Sequence, residues 1–291
     1  MITDWYHQTA DVLQLKAEQA TGPPPPSDNV LFNGTNINPT GSGGPGAYNK
    51  VTLTPGKKHL LRLINPSVEN HFTVSLVGHS FTVIAADLVP VKPVVKSQLF
   101  LAIGQRYDVI IDASQPVGNY WFNATLGGGG SCGASNNLFP AAIFSYQGAP
   151  NSLPTNRGTP ITADCHDTTG FTPIISRSAD PSTFAANEKE LSVSLTTAVT
   201  NRGTIFSWQV NGSSIDVQWE KPILQYIAEK NYTFPRAANV VEITATSGWT
   251  YVVIDNVAGL VSTIRFASVW SAEQLADAPS LTRSIYTAMT S

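Results

Sequence analysis

From residue 28 to residue 150 the chain is a succession of short apolar runs, each cut off by Gly, Pro or Asn before it reaches helical length. Val51 to Leu53 precedes a Pro55-Gly56 turn, and Leu60 to Ile64 follows it. Phe72, Val74 and Leu76 alternate with Thr73 and Ser75, the period of a strand with one buried face. Gly78-His79-Ser80 turns the chain into Phe81 to Ala85. Further runs stand at Leu99 to Ile103, Tyr107 to Ile111, Tyr120 to Thr125 and Ala141 to Tyr146. Strands of this length cannot bury their faces singly, so the spacing predicts an all-β fold, a β-sandwich or barrel.

Outside that stretch the texture differs. Residues 9–20 are the one clear helical segment near the start: Thr9 is placed to cap it, and Gly22 with Pro23 to Pro26 stops it. Residues 127–130 are four glycines before Cys132. Pro150, Pro154, Pro160, Pro173 and Pro181 mark residues 151–190 as a linker. Strand signals resume at Leu191 to Leu195, Phe206 to Val210, Val240 to Thr244 and Trp249 to Ile254. After Val261 the pattern changes again; Ser271 to Ala278 reads as weakly helical, and no further strand is expected.

Composition narrows the class. Lys plus Arg number 17 against 20 Asp plus Glu, a net charge of −3, with no basic run of the kind nucleic acid requires. No window approaches the eighteen apolar residues of a membrane-spanning helix. No feature marks a protein partner. Four sequons, at Asn33, Asn123, Asn211 and Asn231, tilt the reading toward a glycosylated extracellular protein. The two cysteines, Cys132 and Cys165, can form one disulfide or remain two buried thiols; counting alone does not separate these. The first residues, Met1-Ile2-Thr3-Asp4, carry neither the basic nor the apolar region of a secretion signal, so the expectation is a chain lacking its beginning.

Several strings are specific. Asp4-Trp5-Tyr6-His7, the run Ser27-Asp28-Asn29-Val30-Leu31-Phe32-Asn33-Gly34-Thr35 and Arg62-Leu63-Ile64-Asn65 resemble fungal laccases of the ascomycete type. So do the run from Glu69-Asn70-His71 to Gly78-His79, Gly104-Gln105-Arg106-Tyr107-Asp108-Val109, Asn119-Tyr120-Trp121-Phe122-Asn123, Phe139-Pro140-Ala141-Ala142-Ile143-Phe144 and Trp208-Gln209-Val210-Asn211-Gly212. The likeness holds in one register over about residues 2 to 256. It implies the cupredoxin-like Greek-key β-sandwich, three of which make a whole enzyme of that family. On that plan residues 1–27 are the exit from a first domain and 28–150 a complete second domain. Residues 151–190 are then the linker, 191–261 an incomplete third domain, and 262–291 a divergent tail.

The resemblance also implies chemistry: one-electron oxidation of phenols coupled to reduction of dioxygen to water, with four copper ions. It places Glu69 where the family has an acidic residue that accepts the phenolic hydroxyl, although counting alone leaves it an ordinary loop glutamate. Phe206 and Trp208 match aromatic pocket walls, with core packing as the plain alternative, and Ser131 matches a pocket-loop residue. Cys132 and Cys165 match a disulfide pair. The copper motifs do not carry over. The five histidines are His7, His59, His71, His79 and His166, with no His-X-His among them, and Cys165-His166-Asp167 lacks the flanks of a His-Cys-His segment. The expectation is a truncated laccase-like chain that binds no copper and does not oxidise phenols alone. Two alternatives stand beside it: a copper-free cupredoxin binding module, and a gene-model or pseudogene product.

Overall fold

Alternation along the strands decides the architecture. Phe72, Val74 and Leu76 point one way from their strand and are all 2% exposed or less; a strand with such a face must meet another layer. The computed structural model describes residues 1–20, 23–40, 44–126, 132–161, 165–176, 188–201, 203–214, 218, 220–241, 249–256 and 266–271. The chain divides into two units, residues 1–176 and 177–291, each described by itself.

In the first unit β1 (Ile2–Trp5) is followed by α1 (Ala10–Gln19) and β2 (Asn29–Phe32), and β1 pairs antiparallel with β2. Nine further strands follow: β3 (Lys50–Leu53), β4 (Lys58–Ile64), β5 (Phe72–Leu76), β6 (Phe81–Ala86), β7 (Val89–Lys96), β8 (Leu99–Leu101), β9 (Arg106–Asp112), β10 (Asn119–Leu126) and β11 (Ala141–Tyr146). They form a five-stranded sheet in the order β3-β11-β10-β5-β8 and a four-stranded sheet in the order β4-β9-β6-β7. One sheet turns Leu53, Phe72, Val74, Leu76, Phe122 and Phe144 inward, and the other turns Leu63, Phe81, Val83, Tyr107, Val109 and Ile111 inward, so the two faces make one core. The expected two-sheet all-β fold is present.

Three differences from the sequence reading have clear physical causes. β7 was not expected because Pro90 and Pro93 interrupt it; it is an edge strand, where a residue without an N–H breaks no inner ladder. Residues 1–27, read as a remnant of a preceding domain, include β1, whose Ile2 is 2% exposed within this core. Residues 151–161 and 165–176, read as linker, are fastened to the first unit. Phe171 packs on Tyr107 with ring centroids 5.6 Å apart, and the Lys92 and Ile174 N–H groups bond to Thr172 and Pro90 carbonyls along the β7 edge. The Trp121 indole N–H also bonds to the Pro154 carbonyl. That covering explains why every residue of β11 is buried, inner and outer alike.

The described residues of the second unit form one sheet, β13-β12-β14-β15, made of β12 (Glu188–Thr200), β13 (Gly203–Val210), β14 (Trp249–Asn256) and β15 (Phe266–Ser271). A short helix α2 (Ile223–Ala228) lies between β13 and β14. β15 corrects the reading of residues 262–291 as a strandless tail: Phe266 to Trp270 is an apolar, β-favouring run that pairs antiparallel with β14. Ser271 ends that strand, and the rest of the helix expected at Ser271 to Ala278 lies outside the described residues, as does most of the strand expected at Val240 to Thr244. Among the described residues of this unit only Ala238 and Val252 are buried apolar residues.

Candidate functional site

Glu69 sits in the loop between β4 and β5, and that loop is held by side chains far away in sequence. Asp4 on β1 is 7% exposed, and its carboxylate accepts from three successive backbone N–H groups: Val68 (3.1 and 3.2 Å), Glu69 (2.8 Å) and Asn70 (3.2 Å). Three amides converging on one carboxylate form an anion nest, and an acceptor-only group suits it. The Asp4 N–H in turn donates to Ser67 Oγ at 3.0 Å. Asn65, fully buried, donates to the Asn70 and Leu101 carbonyls at 2.9 and 3.0 Å and accepts from the Ser67 N–H.

The far side of the loop meets the segment after the four glycines. Asn70 donates to Ser27 Oγ at 2.9 Å, the His71 N–H donates to the Cys132 carbonyl at 3.0 Å, and Ser27 binds the Ala134 carbonyl. Cys132 and Cys165 form a disulfide with Cα atoms 5.7 Å apart, so the choice left open by counting resolves to a cross-link. Gly133 lies so close that a Cβ there would stand 2.1 Å from Asn70 Oδ1 and 2.8 Å from the Glu69 carbonyl, at φ +89°. Gly133→Ala is therefore expected to lower stability by about 2–3 kcal/mol through strain and forced loop movement, measurable by urea unfolding. A loss below about 0.5 kcal/mol would show that the loop yields freely.

Electrostatics follow from this packing. Burial, and then the Asp4 charge, holds the Glu69 carboxyl above its ordinary value of 4.5. The Tyr6 phenol is pushed up by burial, then by the charges of Asp4, Glu69 and Asp28, which places these acids around one phenol. The folded state disfavours ionised Glu69, so its penalty is absent at low pH and grows as pH rises from 4.5 through the raised value. Glu69→Gln is thus expected to be more stable than the parent at pH 7, with the gain vanishing below pH 4.5 in paired denaturation curves. Equal stability at both pH values would contradict the assignment.

The other expected site residues belong to other segments of the chain. Ser131 lies outside the described residues. Phe206 and Trp208 are two apart on β13 of the second unit and share a face; Phe206 is half-buried and Trp208 is 52% exposed. Of the sequon residues, Asn33 is exposed and accepts from the Met1 amino group, and Asn231 is exposed and accepts from the Thr233 N–H. Asn211 accepts from the Ser192 N–H, and Asn123 is half-buried with its amide on the Arg157 carbonyl. Asp4, Asn65 and Asn70 complete the loop's support, and no local pattern in the sequence marks them for that role. The only trace in sequence is that Asp4 stands in one distinctive string and Asn70 in another.

Among the described residues, His59, His71, His79 and the two cysteines do not assemble into a copper donor set. His79 has Nδ1 2.9 Å from the Val77 carbonyl and Nε2 2.7 Å from the Tyr146 hydroxyl. His59 Nε2 accepts from the Thr54 N–H, His71 Nδ1 accepts from the Ile103 N–H, and both sulfurs are in the disulfide. Among the described residues no three His, Cys, Asp or Glu side chains converge as a metal cluster.

A family model described as multicopper oxidase matches residues 1–149. Laccase-2 of Podospora anserina is 53% identical over 257 residues, which are 88% of this chain and 40% of that protein. Laccase of Neurospora crassa is 50% identical over 256 residues, again 88% and 40%. The chain thus spans about 40% of the length of these curated relatives. Among solved structures, the laccase from Botrytis aclada superposes with a TM-score of 0.71 at 30% identity, covering 89% of this chain and 47% of that one.

Proposed function

This chain belongs to the multicopper oxidase family, and from that premise we propose that it binds small phenols of the laccase type through Glu69 without oxidising them on its own. The observation that carries the reading is the clamped Glu69 loop: its backbone is held by the Asp4 carboxylate, and the half-buried Glu69 carboxyl it presents is more basic than usual. Such a group accepts a hydrogen bond from a phenolic O–H and polarises it toward proton loss. Phe206 and Trp208 offer aromatic surface for the same substrate class from their own unit.

In the family, copper supplies the electron acceptor. The described residues of this chain hold no fitting donor set, and none of its five histidines forms a His-X-His pair. We therefore place its contribution in binding the phenol and accepting the hydrogen bond of its hydroxyl. The disulfide and the exposed sequon residues Asn33 and Asn231 support an extracellular, glycosylated protein.

The test is a titration of the purified chain with a simple phenol beside a copper assay. Expected are saturable binding that weakens in Glu69→Gln, copper far below one ion per chain after loading, no blue thiolate-to-copper absorption, and no oxygen uptake. Stoichiometric copper with phenol turnover would overturn the catalytic half of the reading. Binding unchanged in Glu69→Gln would overturn the other half.

A further inference from the structure

The outer face of β10 carries a cavity of about 280 Å³ that no lining residue connects to the Glu69 loop. Trp121, Asn123 and Thr125 alternate onto that face while Phe122 and Ala124 turn into the core. Tyr48 closes one side, its ring edge-on to Trp121 with centroids 4.8 Å apart, and Phe139, 70% exposed, forms another. The roof is the segment from Arg157 to Ile161. It is anchored by Trp121 Nε1 donating to the Pro154 carbonyl at 3.0 Å and Asn123 Nδ2 donating to the Arg157 carbonyl at 3.3 Å.

At the rim the Arg157 guanidinium stands 5.6 Å from the centre of the Phe139 ring. No carboxylate among the described residues pairs with it. Mostly apolar walls with a few convergent polar groups are the usual make-up of a small-molecule site, and this volume suits a single ring rather than a drug-sized compound. A planar guanidinium matches a carboxylate in two parallel hydrogen bonds. A second hollow beyond the roof, lined by Ser75, His79, Ser97 and Gln98, offers no cation and no aromatic wall of this kind.

We propose that the cavity between β10 and the 157–161 roof is a binding site for small aromatic carboxylates, the ring against Trp121, Tyr48 and Phe139 and the carboxylate on Arg157. The site goes beyond the Glu69 reading and does not depend on it. Asn123 and Thr125 of one sequon are in its wall, so an attached glycan competes for the same space.

The experiment is a calorimetric titration of the full chain with benzoate and with benzyl alcohol, before and after enzymatic removal of N-glycans, with tryptophan fluorescence as second readout. Benzoate is expected to bind saturably in both states, more weakly while the glycan is attached, and after its removal about tenfold more tightly than the alcohol. Arg157→Gln, checked by circular dichroism for an intact fold, is expected to lose that tenfold while leaving the alcohol unchanged. Glu69→Gln is expected to leave benzoate binding unaltered, which separates this site from the phenol reading. No saturable binding, equal affinity for acid and alcohol, or indifference to Arg157→Gln would each overturn the assignment. Loss of benzoate binding in Glu69→Gln would do so too, as would binding that appears only after deglycosylation, since the glycan then owns the cavity.

Discussion

Phe122→Ala is expected to remove about 4 kcal/mol from the stability of the first unit. Phe122 is 2% exposed on the central strand β10, and three aromatic rings surround it: Phe144 at 5.2 Å, Phe32 at 6.1 Å and Phe81 at 6.2 Å between centroids. Those neighbours come from β11, β2 and β6, so one truncation leaves a void bordered by both sheets and by the β1–β2 ribbon. Native density does not let such a cavity collapse completely, and the lost dispersion contacts add to the lost transfer free energy. Hydrogen exchange of the β5, β10 and β11 amides, with denaturant unfolding, reads the effect. A loss under about 1 kcal/mol would mean that the core repacks around the gap.

Asp4→Ala should cost a comparable amount, about 3–5 kcal/mol, for a different reason. The substitution deletes little apolar contact, yet it strands the Glu69 and Asn70 N–H groups and withdraws the charge they were arranged around. Donors left without acceptors in a buried place lose their solvation without compensation. Two local consequences distinguish this from general destabilisation. Amide protection at Val68, Glu69 and Asn70 should fall further than at β9 or β10, and the Glu69 carboxyl should move back toward 4.5 because the Asp4 contribution to its shift is gone. If protection at those three amides is unchanged, the clamp is not what holds the loop.

Much of the sandwich was legible because its strands obey a local rule. Phe72, Val74 and Leu76 announce a buried face by period alone, and Gly78 and Pro55-Gly56 announce the turns. Where the rule failed, a second influence had overridden it. The prolines of β7 suppress a strand signal but are harmless at an edge. In β11 even the outward-facing Ala141, Ile143 and Ser145 are buried, since Tyr48 and the 150–161 segment cover the face that would otherwise meet water. The candidate site was less legible. Glu69 is marked by its flanking string, whereas Asp4 lies more than sixty residues away and nothing local marks it as the acceptor of that loop.

The sequence by itself determined the all-β class, the positions of most strands and turns, and the scarcity of imidazole and thiolate donors, because these depend on side-chain period, backbone preference and simple counts. Only the tertiary structure decided which distant groups meet: Asp4 with the 68–70 amides, and Arg157 with the outer face of β10. Those pairings depend on the path by which the chain returns to the sheets, and that path is set by burial of the whole core rather than by any one segment of the chain.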